Sequence, residues 1–299
     1  MRIADNMLTR GYLKNLSRNQ QNVQNFHQQL SSMKEVSKPS DNPLLVSQII
    51  ELKENIIQNS QYQTTLTDAK DWTNMQDAAL SGATDSLMRI STLVQSAATD
   101  TMSEENRLIV KAEVETEIQT FIDSLNTNFG GRYIFGGTET TTLPFEIVKD
   151  IDSGEITGIK YNGNTQNITR EISAGVNLDL MTDGLKLVDN DTIGNLFAGI
   201  TSALKNDDGD ALRGLIDDTN VSIDHVVTFR TEIGAISNRL TSSLSRNESQ
   251  DLNLQSMLSS KEDIDIAQKY MQFSMEQVAY QASLQMGTKV LSTTILDYL

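Results

Sequence analysis

The side chains that most often carry out catalysis are scarce in this sequence. It contains no cysteine and two histidines, His27 and His225. Without cysteine there is no thiolate nucleophile, no cysteine-bound zinc and no disulfide framework. His27 has no histidine or carboxylate three or four residues further on, and no Gly-x-Ser-x-Gly elbow exists to supply His225 with a nucleophile. The sequence therefore predicts neither histidine-based acid–base catalysis nor a metal or cofactor site.

Two other motifs begin like ligand-binding loops but do not complete them. Residues 130–137 are rich in glycine, yet they lack the Gly-Lys-[Ser/Thr] ending of a phosphate-binding loop and flank a strand-like run. Residues 206–210 open like a calcium-binding loop whose closing glutamate is missing. We interpret the glycines as turns around a strand and Asp210 as a helix cap. A structural protein is therefore expected, not an enzyme.

Charge and composition exclude further classes. Asp and Glu number 40 against 24 Lys and Arg, and a formal net charge of −16 argues against binding to nucleic acid or to an anionic membrane surface. No run approaches the ~18 apolar residues of a membrane span, and the first residues lack the apolar segment of a cleaved secretory signal. Aromatic residues at 5% and a mean hydropathy of −0.34 are low for a compact enzyme and favour an elongated chain.

Glycine and proline divide the chain into three parts. Of the 17 glycines, nine lie between residues 130 and 184, and only Gly82 lies between residues 44 and 129. Because both residue types interrupt helices, long helices are expected on either side of a strand-rich insert. The predicted fold is mainly α, an elongated rod of long antiparallel helices or coiled coil formed by both chain ends, with a small β-rich domain in the middle. The predicted domains are terminal arms at 1–42 and 258–299, a helical rod at 43–137 and 188–257, and a β-rich domain at 138–187.

The same punctuation gives approximate element bounds. Helices are predicted from residue 44 to about 98, from a cap at Ser103 to the glycine pair at 130–131, and from about Asp217 to Met257. Short β-branched or aromatic runs predict strands at 132–135, 145–148, 158–161 and 167–172.

Apolar residues in the N-terminal arm recur at alternating steps of four and three, which predicts a narrow seam along one face of a helix. The arm is otherwise polar but nearly uncharged in its middle, where nine asparagines and glutamines lie between residues 15 and 29. So thin a seam does not stabilise an isolated helix in water, so we expect this arm to fray in a free monomer. The predicted N-terminal assembly seam is Leu16, Val23, Phe26, Leu30 and Met33.

The C-terminal arm repeats the pattern. Residues 1–43 carry a net charge of +3 and residues 258–299 a net charge of −2, which favours pairing of the two arms. A second stripe, formed by Met271, Met275, Val278 and Ala282, covers a neighbouring face of the same helix. The predicted C-terminal assembly seam is Tyr270, Phe273, Tyr280, Leu284, Leu291 and Tyr298.

A joint is predicted between the N-terminal arm and the first long helix, at Pro39, Asp41 and Pro43. Either Asp41 or Asn42 suits the N-cap of that helix, and Pro43 suits its first helical position.

The two ends and this joint resemble the bacterial flagellin superfamily and, within it, the proteins associated with the hook. The resemblance covers about the first 140 and the last 45 residues, and it extends only loosely into the insert. One departure is residues 31–36, where related chains often have a Thr-Gly-Lys-like stretch. The residues that carry the resemblance are Met1-Arg2-Ile3, 36–43, 128–138, 260–267, 281–284 and Leu296-Asp297-Tyr298-Leu299.

The resemblance implies a structural protein that is exported unfolded through the flagellar type III channel, without a cleaved signal, and whose C-terminal arm is held by a small cytoplasmic export chaperone. Outside the cell, it implies a coiled coil of both arms in a ring of subunits at the hook–filament junction, with the preceding hook-associated protein and flagellin as partners. Two alternatives stay open: a filament subunit of the flagellin type, and a secreted coiled-coil effector or adhesin that binds a host ligand through the β-rich insert.

Overall fold

A computed structural model describes residues 2–99, 102–150, 154–189 and 191–291. Seven helices and six strands are formed within these ranges, so the predicted fold class, mainly α with a strand-containing middle, is confirmed. The helices are α1 Arg2–Ser32, α2 Pro43–Ala97, α3 Glu104–Leu125, α4 Gly184–Leu187, α5 Thr192–Lys205, α6 Gly209–Glu262 and α7 Ile266–Leu291. The strands are β1 Asn128–Phe129, β2 Arg132–Tyr133, β3 Phe145–Lys149, β4 Ile156–Tyr161, β5 Ile168–Ser173 and β6 Val176–Leu180.

The chain forms two compact units. The first, which we call the arm unit, combines Met1–Gln58 with Ser249–Leu299, and the second, the middle unit, is Asn59–Glu248. The two longest helices, α2 and α6, each contribute to both units.

The start of α2 resolves the choice of cap at the joint. Asn42 is the cap, because its Oδ1 accepts a hydrogen bond from the backbone N of Leu45 at 3.2 Å. Asp41 closes the preceding turn instead, and its Oδ2 accepts from the backbone N of Lys38 at 3.0 Å. Pro39 lies inside that turn, where its fixed φ is favourable.

Helix α3 begins as predicted and ends earlier than predicted. Its N-cap is Ser103, but its last residue is Leu125, before the glycine pair. Gly130 and Gly131 have φ of +59° and +83° and form the turn between β1 and β2. The glycines therefore close a tight hairpin, a role that their positive φ explains.

The strand-rich segment consists of two larger antiparallel hairpins. In the first, β3 pairs with β4, from Phe145 opposite Tyr161 to Lys149 opposite Ile156. In the second, β5 pairs with β6. Strand β6 was not predicted, although its alternating apolar and polar residues are the pattern of a half-buried strand. The turn before it contains Gly175 with a φ of +71°.

Helix α6 begins at Gly209, eight residues before the predicted start at Asp217. Its cap is Asp208, whose Oδ1 accepts from the backbone N of Ala211 at 2.9 Å, so the prediction that Asp210 is the cap was wrong. This first part of the helix was not predicted, because the glycines at 209 and 214 resemble turn residues rather than helix formers.

The core of the middle unit lies where α2, α3, α5 and α6 meet the hairpins. Phe121 and Phe197 pack edge to face, with ring centroids 5.4 Å apart and an angle of 87° between the rings. Arg107, in the first turn of α3, is buried and closes the end of α2, with its Nε 3.0 Å from the carbonyl oxygen of Ala97. The largest fully buried side chains include Leu80, Leu87, Ile90, Ile118 and Ile134.

The glycine-rich motif at 130–137 ends in a crowded turn around one tyrosine. The hydroxyl of Tyr161 lies 2.9 Å from the carbonyl oxygen of Asn164 and accepts a hydrogen bond from the backbone N of Gly184 at 3.2 Å. Burial raises the pKa of Tyr161 to about 12, so its hydroxyl remains a donor at neutral pH. Gly137, with a φ of +68°, passes directly against this turn.

Candidate assembly interface

The arm unit is built on the pairing of α1 with α7, as the opposite net charges of the two arms predict. The residues of α1 that face α7 recur at steps of four and three, the spacing of a coiled-coil seam. All of them are half-buried: Tyr12, Leu16, Asn19, Val23, Phe26 and Leu30. On α7 the facing residues are Lys269, Phe273, Glu276, Tyr280 and Ser283, which are half-buried, and Gly287, which is buried.

Polar contacts join the two helices along much of this seam. The Tyr12 hydroxyl donates to the carbonyl oxygen of Ser283 at 2.9 Å, and the side-chain amide of Asn19 donates to the hydroxyl of the same serine at 3.0 Å. Further along, the amide of Asn22 donates to Glu276 Oε1 at 2.9 Å. A seam that is half polar and half-buried gains less from the hydrophobic effect than an apolar one, so the pair is expected to be marginally stable alone.

The structure places the predicted N-terminal seam residues on one face, except for Met33. Helix α1 ends at Ser32, and Met33 has a φ of +56° and a side chain that is 60% exposed. The left-handed conformation turns the chain away from the helix axis, which is why Met33 does not continue the face that Leu16, Val23, Phe26 and Leu30 share.

The predicted C-terminal seam residues divide between two sides of α7. Phe273 and Tyr280 face α1, whereas Tyr270 and Leu284 lie on the flank and are exposed. Leu291 is the last residue of α7, and Tyr298 lies outside the described residues.

The side of α7 opposite α1 is apolar and exposed, and we call it the outer face. Its members follow one another at steps of four, three, four and four, so they form one stripe along the helix. Large exposed apolar side chains in a row are uncommon on a monomeric protein and mark a contact surface. The outer face consists of Met271, Met275, Val278, Ala282 and Met286, and the side chain of Val278 is 65% exposed.

Gly287 allows the two helices to approach closely. A Cβ atom at this position would lie 2.0 Å from the hydroxyl oxygen of Tyr12. The contact involves the end of a flexible side chain, so Tyr12 can rotate away, but it then loses its hydrogen bond to Ser283.

We expect Gly287→Ala to weaken the α1–α7 pair. The lost hydrogen bond costs about 1 kcal/mol, and the ring of Tyr12, which the added Cβ also meets, loses its packing as well. Together these losses exceed the ~1 kcal/mol that alanine adds to the helix itself. Faster amide exchange in α1 and α7, with unchanged exchange in the middle unit, is the expected result. Gly234→Ala in α6 is the matched control, because no atom lies within 4 Å of its added Cβ and alanine is the better helix former by about 1 kcal/mol. Equal exchange in the two variants would contradict the close-approach argument.

The joint between α1 and α2 is held against the turn between α6 and α7. The backbone N of Glu35 donates to the carbonyl oxygen of Glu262 at 2.8 Å, and Lys34 and Asp263 form an antiparallel bridge. Glu262 is buried and accepts from Lys53 Nζ at 2.8 Å and from Lys34 Nζ. Burial opposes its charge, but the two lysines outweigh burial and hold the pKa of Glu262 below its usual range. Stability from this carboxylate is therefore present above its unfolded-state pKa and lost as the pH falls through its lower folded-state pKa.

Each of the two histidines contacts a group that has no catalytic chemistry, a backbone carbonyl for His225 and an aromatic ring for His27. The Nε2 of His225 lies 2.8 Å from the carbonyl oxygen of Lys186, and the ring of His27 lies 6.3 Å from that of Phe273. Over residues 2–99, 102–150, 154–189 and 191–291, no three histidine, aspartate or glutamate side chains are grouped to hold a metal ion. Over the same ranges, no helix carries a stretch long and apolar enough to cross a membrane.

Sequence reasoning missed the polar half of the interface. Asn19 and Glu276 occupy seam positions, and Asn19 could be found by its spacing, but Asn22 lies beside the seam. The buried role of Glu262 has no local signal, because its lysine partners are 209 and 228 residues away.

Known families match both ends of the chain. The family model for the bacterial flagellin N-terminal helical region matches residues 3–140, and the model for the bacterial flagellin C-terminal helical region matches residues 216–299. Together they span well over half of the chain, including α1, α7 and the joint. The chain belongs to the bacterial flagellin family.

Within the flagellin family, the chain is similar over nearly its whole length to curated hook proteins. It is 28% identical to flagellar hook-associated protein 3 of Escherichia coli K12 and 25% identical to that of Salmonella typhimurium LT2, in each case over 95% of both chains. The crystal structure of FlgL from Bacillus cereus has the same fold, with a TM-score of 0.59 at 21% identity over 70% of this chain and 99% of that chain. As a flagellin-family member with these relatives, the chain is a structural protein of the bacterial flagellum.

Proposed function

We propose that this protein is the junction subunit that links the hook, through the preceding hook-associated protein, to the flagellin filament. The observation that carries the proposal is the outer face of α7. It has helical spacing, it is exposed, and it belongs to a helix that is already paired with α1. A surface of this kind needs a further helix to cover it, which a neighbouring subunit provides in a ring. The names of the two curated relatives support the position at the hook.

The proposed domains divide this work. Arms at 1–42 and 258–299 form the assembly core, the helical parts at 43–137 and 188–257 form a rod, and the insert at 138–187 is a small β-rich domain. The proposed assembly seams are those predicted from the spacing, except that Met33 lies off the N-terminal seam. Phe273 and Tyr280 serve the α1–α7 contact, and Tyr270 and Leu284 are available to neighbours. Pro39, Asp41 and Pro43 form the joint between arm and rod.

We also propose that the chain is exported to the cell exterior through the flagellar type III channel without a cleaved signal, and that a small cytoplasmic chaperone covers the C-terminal arm before export. The exposed methionines of the outer face support the second step, because flexible thioether side chains suit a surface that serves successive partners. The marginal stability of the α1–α7 pair supports export as an unfolded chain, since little free energy is needed to separate the arms.

Deletion of the gene in its host tests the proposal. Cells are imaged by electron microscopy and the medium is assayed for flagellin. Bare hooks together with abundant monomeric flagellin in the medium are the expected result, because filament subunits then have nothing to assemble on.

Other outcomes separate the alternatives. Filaments that still grow would overturn the junction role and leave a minor flagellin or a secreted effector or adhesin. Bare hooks without released flagellin would instead identify the chain as the filament subunit. An isolated 138–187 fragment that binds a host surface would favour the effector or adhesin.

A further inference from the structure

One carboxylate oxygen in the arm unit holds three parts of the chain together. Glu262 is the last residue of α6, and its Oε1 accepts hydrogen bonds from Lys34 Nζ, just after α1, and from Lys53 Nζ, in α2. Its side chain is only 10% exposed, whereas those of the two lysines are 47% and 43% exposed. The acid is therefore fixed by its surroundings, and the two lysines reach it from the surface.

The backbone around Glu262 makes the same connection. Its carbonyl oxygen accepts from the backbone N of Glu35, and the backbone N of Ile264 donates to the carbonyl oxygen of Met33 at 3.4 Å. Lys269 in the first turn of α7 pairs with Glu35 at 2.8 Å. The end of α1 and the start of α7 thus meet at the point where the carboxylate is buried.

The energetics of the site depend on the acid more than on either base. An exposed ion pair contributes little, typically below about 1 kcal/mol. A buried carboxylate that keeps one of two lysines retains a partner, but loss of the carboxylate leaves two ammonium groups close together with nothing between them. Removal of Glu262 takes away the one acceptor that both lysines share, so the side-chain link from Lys34 and Lys53 to the end of α6 is lost.

The α1–α7 seam does not replace this contact. The seam fixes the two arms against each other, yet its half-buried residues lie entirely on α1 and α7. The direction in which the pair leaves α2 and α6 depends on residues 33–42 and 263–265 and on what holds them.

We propose that Glu262 is a positioning residue, whose carboxylate fixes the direction of the α1–α7 pair at the ends of α2 and α6 by holding Lys34 and Lys53 together. The consequence for assembly rests on the proposed function: the outer face of α7 then meets a neighbouring subunit at a set angle. The positioning itself is a property of the single chain.

A distance measurement on the monomer tests the positioning. The chain has no cysteine, so Gln24→Cys in α1 and Asn55→Cys in α2, both at exposed positions of the arm unit, carry the only two spin labels. For the parent, with α1 and α7 paired as in the structure, we expect a narrow distance distribution by pulsed electron resonance. We expect Glu262→Ala to lose the narrow peak, and the charge swap of Glu262→Lys with Lys34→Glu and Lys53→Glu to restore it. If Glu262 acted only through packing, the charge swap would not restore the narrow peak.

The matched control is Asp263→Ala, which removes an exposed acid from the same turn, where its carboxylate accepts a hydrogen bond from the Ser259 hydroxyl at 2.6 Å. It should leave the narrow peak unchanged. Amide exchange of the middle unit confirms that each variant is folded. A narrow peak in Glu262→Ala, or equal broadening in Asp263→Ala, would overturn the proposal.

Filament growth in a deletion strain tests whether the position of the α1–α7 pair matters for assembly. Glu262→Ala is expected not to restore filaments in a deletion strain, and the charge swap is expected to restore them. Filaments grown with Glu262→Ala despite a broadened distance would refute the assembly consequence and leave the positioning intact. Failure of the unaltered chain to restore filaments would count against the proposed function alone.

Discussion

Aspartate in place of Val278 is expected to abolish incorporation of the chain into the flagellum while its own fold stays unchanged. Val278 lies at the centre of the outer face and is 65% exposed, so the monomer loses no buried contact when a charge is introduced. In an assembly, the same carboxylate would have to be buried against a neighbouring helix, which costs several kcal/mol per unpaired charge. Leu284→Asp, on the flank of the same helix and 43% exposed, is expected to act in the same direction.

Two measurements check this prediction. The thermal transition of the purified variant should match that of the parent, and a deletion strain that carries the variant should show bare hooks with flagellin in the medium. Gln250→Asp is the control, because it adds the same charge at an exposed position of α6 in the arm unit and should restore filaments. Normal filament growth from both Val278→Asp and Leu284→Asp would refute the assembly role of the outer face and its flank.

The second large effect is expected in the middle unit, at Gly137. Its φ of +68° is unfavourable for any residue with a side chain, and an added Cβ would lie 2.1 Å from the backbone carbonyl oxygen of Asn164. A backbone atom cannot rotate away, so the turn around Tyr161 would have to open. We expect Gly137→Ala to destabilise the middle unit by about 3 kcal/mol or more, the sum of backbone strain and lost packing.

The single tryptophan provides the readout for this variant. Trp72 is buried in the middle unit, so its fluorescence reports the unfolding of that unit in urea. Gly154→Ala is a close control, because Gly154 has the same φ of +68° but no atom within 4 Å of an added Cβ. It isolates the backbone strain, about 1 kcal/mol. If the two variants unfold at the same urea concentration, the contact with Asn164 is not what requires glycine at 137.

Much of the helical framework was accessible from the sequence, since it depends on local rules. The proline at position 43, the cap at Ser103 and a stretch between them with the single glycine Gly82 bound α2 and α3 closely. The four-and-three spacing also gave the face of α1 that meets α7. These features were predictable because capping and apolar periodicity act over a few residues.

What could not be predicted depends on contacts between distant residues. Helix α7 carries apolar residues on more than one side, and periodicity alone does not say which side meets α1. Gly287 decides this, because only a position without a Cβ accommodates the hydroxyl of Tyr12, a residue at the other end of the chain. Glu262 is a similar case. A charged residue is usually exposed, and only the contacts with two lysines distant in sequence account for its burial.

Because α1 pairs with α7, the arm unit can form only in a chain that contains both of these helices. Its hydrogen bonds join residues that are 254 to 271 positions apart, so this pairing closes only after nearly all of the chain between them is available. A product that stops before α7 retains the helices and hairpins of the middle unit, but its α1 has only a half-polar seam with nothing to cover it. Such a fragment also lacks the outer face. On the proposed function, truncated chains are therefore expected to be left out of the assembly, because they lack the contact that completes intact ones.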